Sequence, residues 1–81
     1  MKNHERVYRA LQFHRKQPNG YEEDGALWGD VYLDEAHHTL TDISGNQWSN
    51  ALSHLKKAEL YRPYAEKGKR GIWGRVKLDG R

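Results

Sequence analysis

The stretch that decides the fold is "SNALSHLKKAELYRPYAEKGKRGIWGRVKL", residues 49–78. Its first third repeats apolar residues at helical spacing, which places Ala51 and Leu55 on one side of a helix. After Ala58 the pattern alternates every two residues around a basic tip that glycines flank, as in two strands joined by a loop. The stretch therefore predicts a helix followed by a β-hairpin.

The predicted helix extends upstream and covers residues 44–58. Ser44 is a suitable N-cap, because its hydroxyl can accept a hydrogen bond from an amide of the first turn. Trp48 continues the apolar side, and the opposite side is polar, so the helix is amphipathic. The polar residues are Asn46, Gln47, Asn50, Ser53, His54 and Lys57.

The hairpin is predicted over residues 59–78. Trp73 is expected on the same hairpin as Tyr61 and Tyr64, where aromatic pairs across strands stabilise a short ribbon. Pro63 cannot donate a hydrogen bond to a neighbouring strand, so its strand is predicted at an edge.

Two further helices are predicted upstream. The first covers residues 4–17 and is ended by the Pro-Asn-Gly sequence at 18–20. An acidic loop follows, and residues 27–31 are compatible with a short strand. Because Asp30 is a good helix cap, the pattern favours a helix from about 31–39 instead.

Length and composition limit the possible classes of protein. A chain of 81 residues buries enough surface for one domain, predicted over residues 1–81. The absence of cysteine excludes disulfides and thiolate zinc sites. No apolar run is long enough for a signal peptide or a membrane helix, so no membrane association and a cytoplasmic location are expected.

Charge is segregated along the chain. Residues 1–43 hold five Lys and Arg against eight Asp and Glu, a net charge of −3. Residues 44–81 hold nine basic residues against three acidic ones, a net charge of +6. A polyanion is therefore expected to be attracted to the carboxy-terminal half and repelled by the acidic segment 22–42.

The order of these elements resembles the winged helix-turn-helix DNA-binding domain family. The sequence "ISGNQWSNALSHLKKAEL", residues 43–60, is similar to the family's recognition helix, which closes on a phrase like "LKKAGL". Glu59 stands where the family usually has glycine, because the helix end there adopts a left-handed conformation. The resemblance covers residues 31–78 and implies an α+β fold, with three helices followed by a two-stranded wing.

The resemblance also implies a function, which is sequence-specific binding of double-stranded DNA. The recognition helix would present Asn46, Gln47, Asn50, Ser53, His54 and Lys57 to base edges in the major groove. The phosphate contacts would come from Lys56 and from the wing residues Lys67, Lys69 and Arg70. Transcription regulation, for example by a repressor, or an accessory role in a mobile element is the expected use. A homodimer is also expected, because a single helix reads few base pairs.

The acidic segment 22–42 supports a hypothesis from another class. In helix-turn-helix proteins the helix before the recognition helix crosses the phosphate backbone, and here that helix contains Asp34 and Glu35. The alternative is therefore a protein interaction module or inhibitor that docks on a partner through this segment.

No enzyme, cofactor or metal site is predicted. The adjacent His37 and His38 point in different directions on a helix, which does not suit a shared metal ion. The glycines near residue 71 lack the Lys-Ser/Thr pair of a phosphate-binding loop.

Overall fold

The computed structural model describes residues 2–64, 68 and 72–79. The elements in chain order are α1 (Asn3–Phe13), β1 (Tyr21–Glu23), β2 (Ala26–Tyr32), α2 (Leu33–His38), α3 (Gly45–Lys57), β3 (Tyr61–Pro63) and β4 (Trp73–Lys77). The four strands form one antiparallel sheet in the order β1-β2-β4-β3. As predicted from Pro63, β3 lies at an edge of this sheet.

The sheet contradicts the predicted winged helix-turn-helix fold. The prediction placed three helices before a two-stranded hairpin, whereas four strands pair with one another. β4 pairs with both β2 and β3, so the predicted wing hairpin is one part of a larger sheet. The described residues therefore form an α+β fold with three helices and a four-stranded antiparallel sheet.

The hairpin of β1 and β2 was not predicted. Asp24 and Gly25 form its two-residue turn, with φ of 54° and 78°. Positive φ at both positions is typical of a type I′ turn, for which Asp-Gly is a favoured sequence. The Asp-Gly pair was thus a signal for this hairpin, but the acidic residues around it favoured a solvated loop.

Asp30 is the reason why a helix was predicted where β2 lies. Its backbone N–H donates to the side-chain oxygen of Gln17 at 2.7 Å, and its carboxylate accepts from the Tyr21 hydroxyl at 2.7 Å. These partners come from other segments of the chain, so Asp30 does not cap a helix. α2 consequently spans Leu33–His38 rather than residues 31–39.

α1 is also shorter than the predicted helix 4–17, because it ends at Phe13. The backbone N–H of Lys16 donates to the carbonyl of Asp30 at 2.8 Å. The segment after α1 therefore runs beside β2 instead of continuing the helix.

The hydrophobic core lies between the helices and one face of the sheet. Tyr61 of β3 is buried there, and its ring passes so close to Gly74 that a Cβ at that position would lie 2.5 Å from a ring carbon. Glycine at this position of β4 therefore makes room for the ring. The core residues are Val7, Leu11, Val31, Leu33, Ala36, Ile43, Trp48, Ala51, Leu55, Tyr61 and Val76.

The opposite face of the sheet has its own aromatic residues. Trp28 is only 2% exposed, with the Arg62 guanidinium 4.5 Å from its ring centre. Trp73 lies 5.4 Å from Tyr32 between ring centres. Tyr61 and Trp73 lie on the paired strands β3 and β4, as predicted, but their side chains lie on opposite faces of the sheet. Side chains alternate along β4, so Val76, the partner of Tyr61, lies on the core face and Trp73 on the other.

Candidate nucleic-acid interface

The amino-terminal end of α3 is fixed by a reciprocal pair of hydrogen bonds. The Ser44 hydroxyl accepts from the backbone N–H of Gln47 at 3.2 Å, and the Gln47 side-chain oxygen accepts from the backbone N–H of Ser44 at 2.9 Å. This capping box satisfies amides that the first helical turn leaves unpaired. It confirms Ser44 as the cap and places the start of α3 one residue inside the predicted range 44–58.

The carboxy-terminal end of α3 is closed by a left-handed residue. Glu59 has a φ of 61°. Its N–H donates to the carbonyl oxygen of Lys56 at 3.1 Å, and the N–H of Leu60 donates to the carbonyl oxygen of Leu55 at 2.9 Å. These two bonds form a Schellman motif. Glu59 thus adopts the conformation for which glycine is usual, and the chain turns there into β3.

The solvent side of α3 presents a line of polar residues. Trp48, Ala51 and Leu55 are buried on the opposite side of the helix. The polar residues recur three or four positions apart, so they form a single row directed away from the core. We call this row the α3 polar row, and it consists of Asn46, Asn50, Ser53 and Lys57.

The α3 polar row is available for contact with another molecule. All four side chains are exposed, and within the described part of the chain they make no hydrogen bond or ion pair. Residues 43–58 contain two lysines and no Asp or Glu. The row can therefore offer amide, hydroxyl and ammonium groups to an anionic partner without repulsion from α3 itself.

Two of the predicted base-reading residues lie at the side of this row. Gln47 uses its amide oxygen in the capping box. His54 stacks on His4 of α1, with ring centres 3.8 Å apart. Both side chains thus have a structural role that the sequence pattern did not indicate.

The predicted phosphate contacts are placed only in part. Lys56 is exposed on α3 and makes no ion pair within the described residues. Lys67, Lys69 and Arg70 lie outside the described residues. The predicted basic tip therefore lies outside the part of the chain that the structure describes.

Two carboxylates close to the helices are paired with basic residues of the same chain. Asp42 receives two hydrogen bonds from the guanidinium of Arg6, each of 2.8 Å. Glu35 of α2 lies 2.9 Å from the ammonium group of Lys16. These hydrogen bonds, from Arg6 and Lys16 respectively, lower the pKa of Asp42 and of Glu35.

The acidic turn of the β1–β2 hairpin is compensated in the same way. Arg62 of β3 donates to Asp24 at 2.8 Å, and Arg75 of β4 donates to Glu23 at 2.8 Å. Within the described residues only Glu22 and Asp34 of the segment 22–42 have a carboxylate without an ion pair or hydrogen bond. Much of the predicted acidic surface is therefore internally neutralised.

Asp30 is held by polar groups on the sheet face opposite the core. Partial burial disfavours its ionised form, but hydrogen bonds from Tyr64, Tyr21 and Gln17 outweigh this effect and lower the pKa of Asp30. Burial and the same carboxylate raise the pKa of the Tyr21 hydroxyl. The sequence pattern missed this network, because its members come from distant parts of the chain. They are brought together by the pairing of β1 with β2, by the segment after α1 and, for Tyr64, by the pairing of β4 with β2 and β3.

A cleft of about 480 Å³ lies beside the carboxy-terminal part of α3. Leu55 and Leu78 are among its apolar residues, and His4, Arg9 and His54 lie among its polar ones.

No group of three His, Asp or Glu side chains among the described residues is arranged to hold a metal ion.

The comparisons with known proteins give no relative for this chain: no family model, no curated protein and no solved structure matches it. Among the described residues, no helix is both long and apolar enough to cross a membrane.

Proposed function

We propose that the protein binds double-stranded DNA and that the α3 polar row enters the major groove. The supporting observation is the row itself, which has exposed amide, hydroxyl and ammonium groups without partners in the described part of the chain. An α-helix fits the width of the major groove, and these side-chain types are suited to hydrogen bonding with base edges.

The pairing of Glu35 and Asp42 reduces the main objection to this proposal, although Asp34 of α2 stays exposed and unpaired within the described residues. Negative charge at Glu35 and Asp42 would repel phosphates close to α3, but both carboxylates are bound to basic side chains. Lys56 and Lys57 are left as cations at the carboxy-terminal end of α3. The exposed Glu59 that follows α3 offsets one of these two charges, so the carboxy-terminal end of the helix keeps a net positive charge that attracts a polyanion.

The use of DNA binding in transcription regulation or in a mobile element remains a prediction, as does a homodimer. Phe13 at the end of α1 is 81% exposed and is the apolar side chain most accessible to a second copy among the described residues.

Protein docking through the segment 22–42 is the weaker hypothesis, because a partner that binds these acids must first compete with their internal partners.

The salt dependence of duplex binding tests the proposal. Affinity for a random-sequence duplex is measured by fluorescence anisotropy at increasing salt, for the wild type, Lys56→Gln and Lys77→Gln. Both substitutions remove one positive charge, but Lys77 pairs with Trp28 on the sheet face away from the core. If Lys56 contacts a phosphate, the log–log slope decreases by about 0.9 in Lys56→Gln and is unchanged in the control.

A second variant tests the three other predicted phosphate contacts, which lie outside the described residues. Neutralisation of Lys67, Lys69 and Arg70 together should reduce the slope by roughly 2 to 3 if all three contact phosphates. Failure of the wild type to bind any duplex at low salt would refute the DNA proposal.

A further inference from the structure

The α3 polar row contains two asparagines at its amino-terminal end, and their position has a consequence for base preference. Asn46 and Asn50 are exposed and four residues apart, so their side chains leave the same side of the helix. Neither amide makes a hydrogen bond within the described residues. A groove entered by α3 therefore meets two free carboxamides in sequence.

The carboxamide group matches one base in the major groove. It places an N–H donor beside a carbonyl acceptor, and adenine places its N7 acceptor beside its N6 donor. Guanine presents two adjacent acceptors, so it satisfies only the donor half of an asparagine. Two well-placed asparagines thus favour adenine over guanine at two positions.

The spacing of the two residues limits the spacing of the two bases. Four residues of α-helix rise about 6 Å, because each residue contributes about 1.5 Å. Stacked base pairs are separated by about 3.4 Å along the duplex. From these distances we infer that the DNA site contains two adenines within two base-pair steps of each other, read by Asn46 and Asn50. This inference rests on the proposed function.

The other predicted base readers on α3 do not provide a competing preference in the amino-terminal half of the row, and His54, in the carboxy-terminal half, stacks on His4. The Gln47 carboxamide is held at the helix end by its hydrogen bond from the Ser44 N–H, so it is not free to turn towards a base as the two asparagines are. Acidic side chains, which accept from cytosine, are absent between residues 43 and 58. Ser53 accepts or donates with any base, and Lys57 lies at the far end of the row. Adenine is therefore the base that the amino-terminal half of the row selects.

A modified-base experiment tests this inference. A bound sequence is first selected from a random duplex pool, and each adenine in it is then replaced by 7-deazaadenine, which lacks the N7 acceptor. The matched control is 3-deazaadenine, which changes only the minor-groove edge. Loss of a specific major-groove contact should weaken binding by roughly tenfold at each of the two adenines, and the control should have no comparable effect.

Substitutions assign each asparagine to its base. Asn46→Ala and Asn50→Ala should each abolish the sensitivity to 7-deazaadenine at one position, and the two positions should lie within two steps. Asn19→Ala, an exposed asparagine between α1 and β1, is the control and should retain both sensitivities.

The outcomes separate the inference from the proposed function. Salt-dependent duplex binding without adenine selection, or with no response to 7-deazaadenine, overturns the adenine inference and leaves DNA binding standing. The absence of binding to every duplex overturns both.

Discussion

The acidic segment 22–42 and helix α3 are both polar, but the fold uses their side chains differently. In the acidic segment most carboxylates bind a group from another element, such as Arg6 for Asp42 and Arg75 for Glu23. In α3 the polar row has no such partners within the described residues. Polar side chains in the first region hold elements together, whereas those in the second remain free to bind. The number of charges in a segment thus does not reveal how many are accessible to a partner.

The largest effect is expected when a carboxylate that binds side chains of other segments is removed. Asp30→Ala should lower the free energy of unfolding by about 2 to 3 kcal/mol, because the Tyr21 hydroxyl and the Gln17 amide lose their acceptor. Urea denaturation followed by tryptophan fluorescence measures the change. Glu22→Ala, in the same segment but without a described partner, should stay within about 0.5 kcal/mol of the wild type. Equal losses in the two variants would contradict the contrast.

Low pH should decrease the free energy of unfolding, because it protonates carboxylates that the fold uses. The pKa values of Asp30, Glu35 and Asp42 are lower in the folded state, so the folded protein favours their ionised forms. Their stabilisation is present above the unfolded pKa of about 4 and is lost as pH falls through the lower folded values. The urea midpoint should therefore decrease below about pH 4.

Asp30→Asn serves as the control for this pH dependence. It removes one of the titrating groups, so the decrease in the urea midpoint should be shallower than in the wild type. An identical pH profile in the variant would show that Asp30 does not contribute.

At the amino-terminal end of α3, Ser44 has a structural role as the helix cap, and it lies just outside the polar row. Ser44→Ala should cost about 1 kcal/mol of stability, because the amide of Gln47 loses its acceptor. Asn50→Ala in the row should change stability by less than about 0.5 kcal/mol. Thermal denaturation of both variants gives the comparison, and a larger loss in Asn50→Ala would mean that the row helps to hold the fold.

The smallest expected effect concerns the boundary between the two regions. Asp42→Asn removes a negative charge close to the start of α3 and frees the Arg6 guanidinium. If DNA lies against α3, the log–log slope of duplex affinity against salt should be steeper for Asp42→Asn than for the wild type, by up to about 0.9. Glu22→Gln makes the same charge change at the β1 edge and should leave the slope unaffected. A slope that responds to Glu22→Gln instead would place the DNA elsewhere on the protein.

Features set by neighbouring residues could be predicted from the sequence, and those set by distant residues could not. The range of α3 was predicted closely, because Ser44 and the apolar spacing of Trp48, Ala51 and Leu55 are local signals. Residues 31–32 at the end of β2 were assigned to a helix, because the partners that hold Asp30 in the sheet lie in another strand and in the segment after α1. The polar row was among the predicted base readers, but the internal roles of Gln47 and His54 required the packed structure.

The position of β4 within the sheet determines when the molecule can assemble. β4 is last of the described strands in the chain but lies between β2 and β3, which do not pair with each other. A growing polypeptide that has reached β3 can form only the β1–β2 hairpin, and the far edge of β2 stays open. We expect the sheet to close only after residue 77 has been synthesised, because its central pairing joins distant parts of the chain. Nascent chains halted before β4 should therefore be preferred targets of chaperones and proteases.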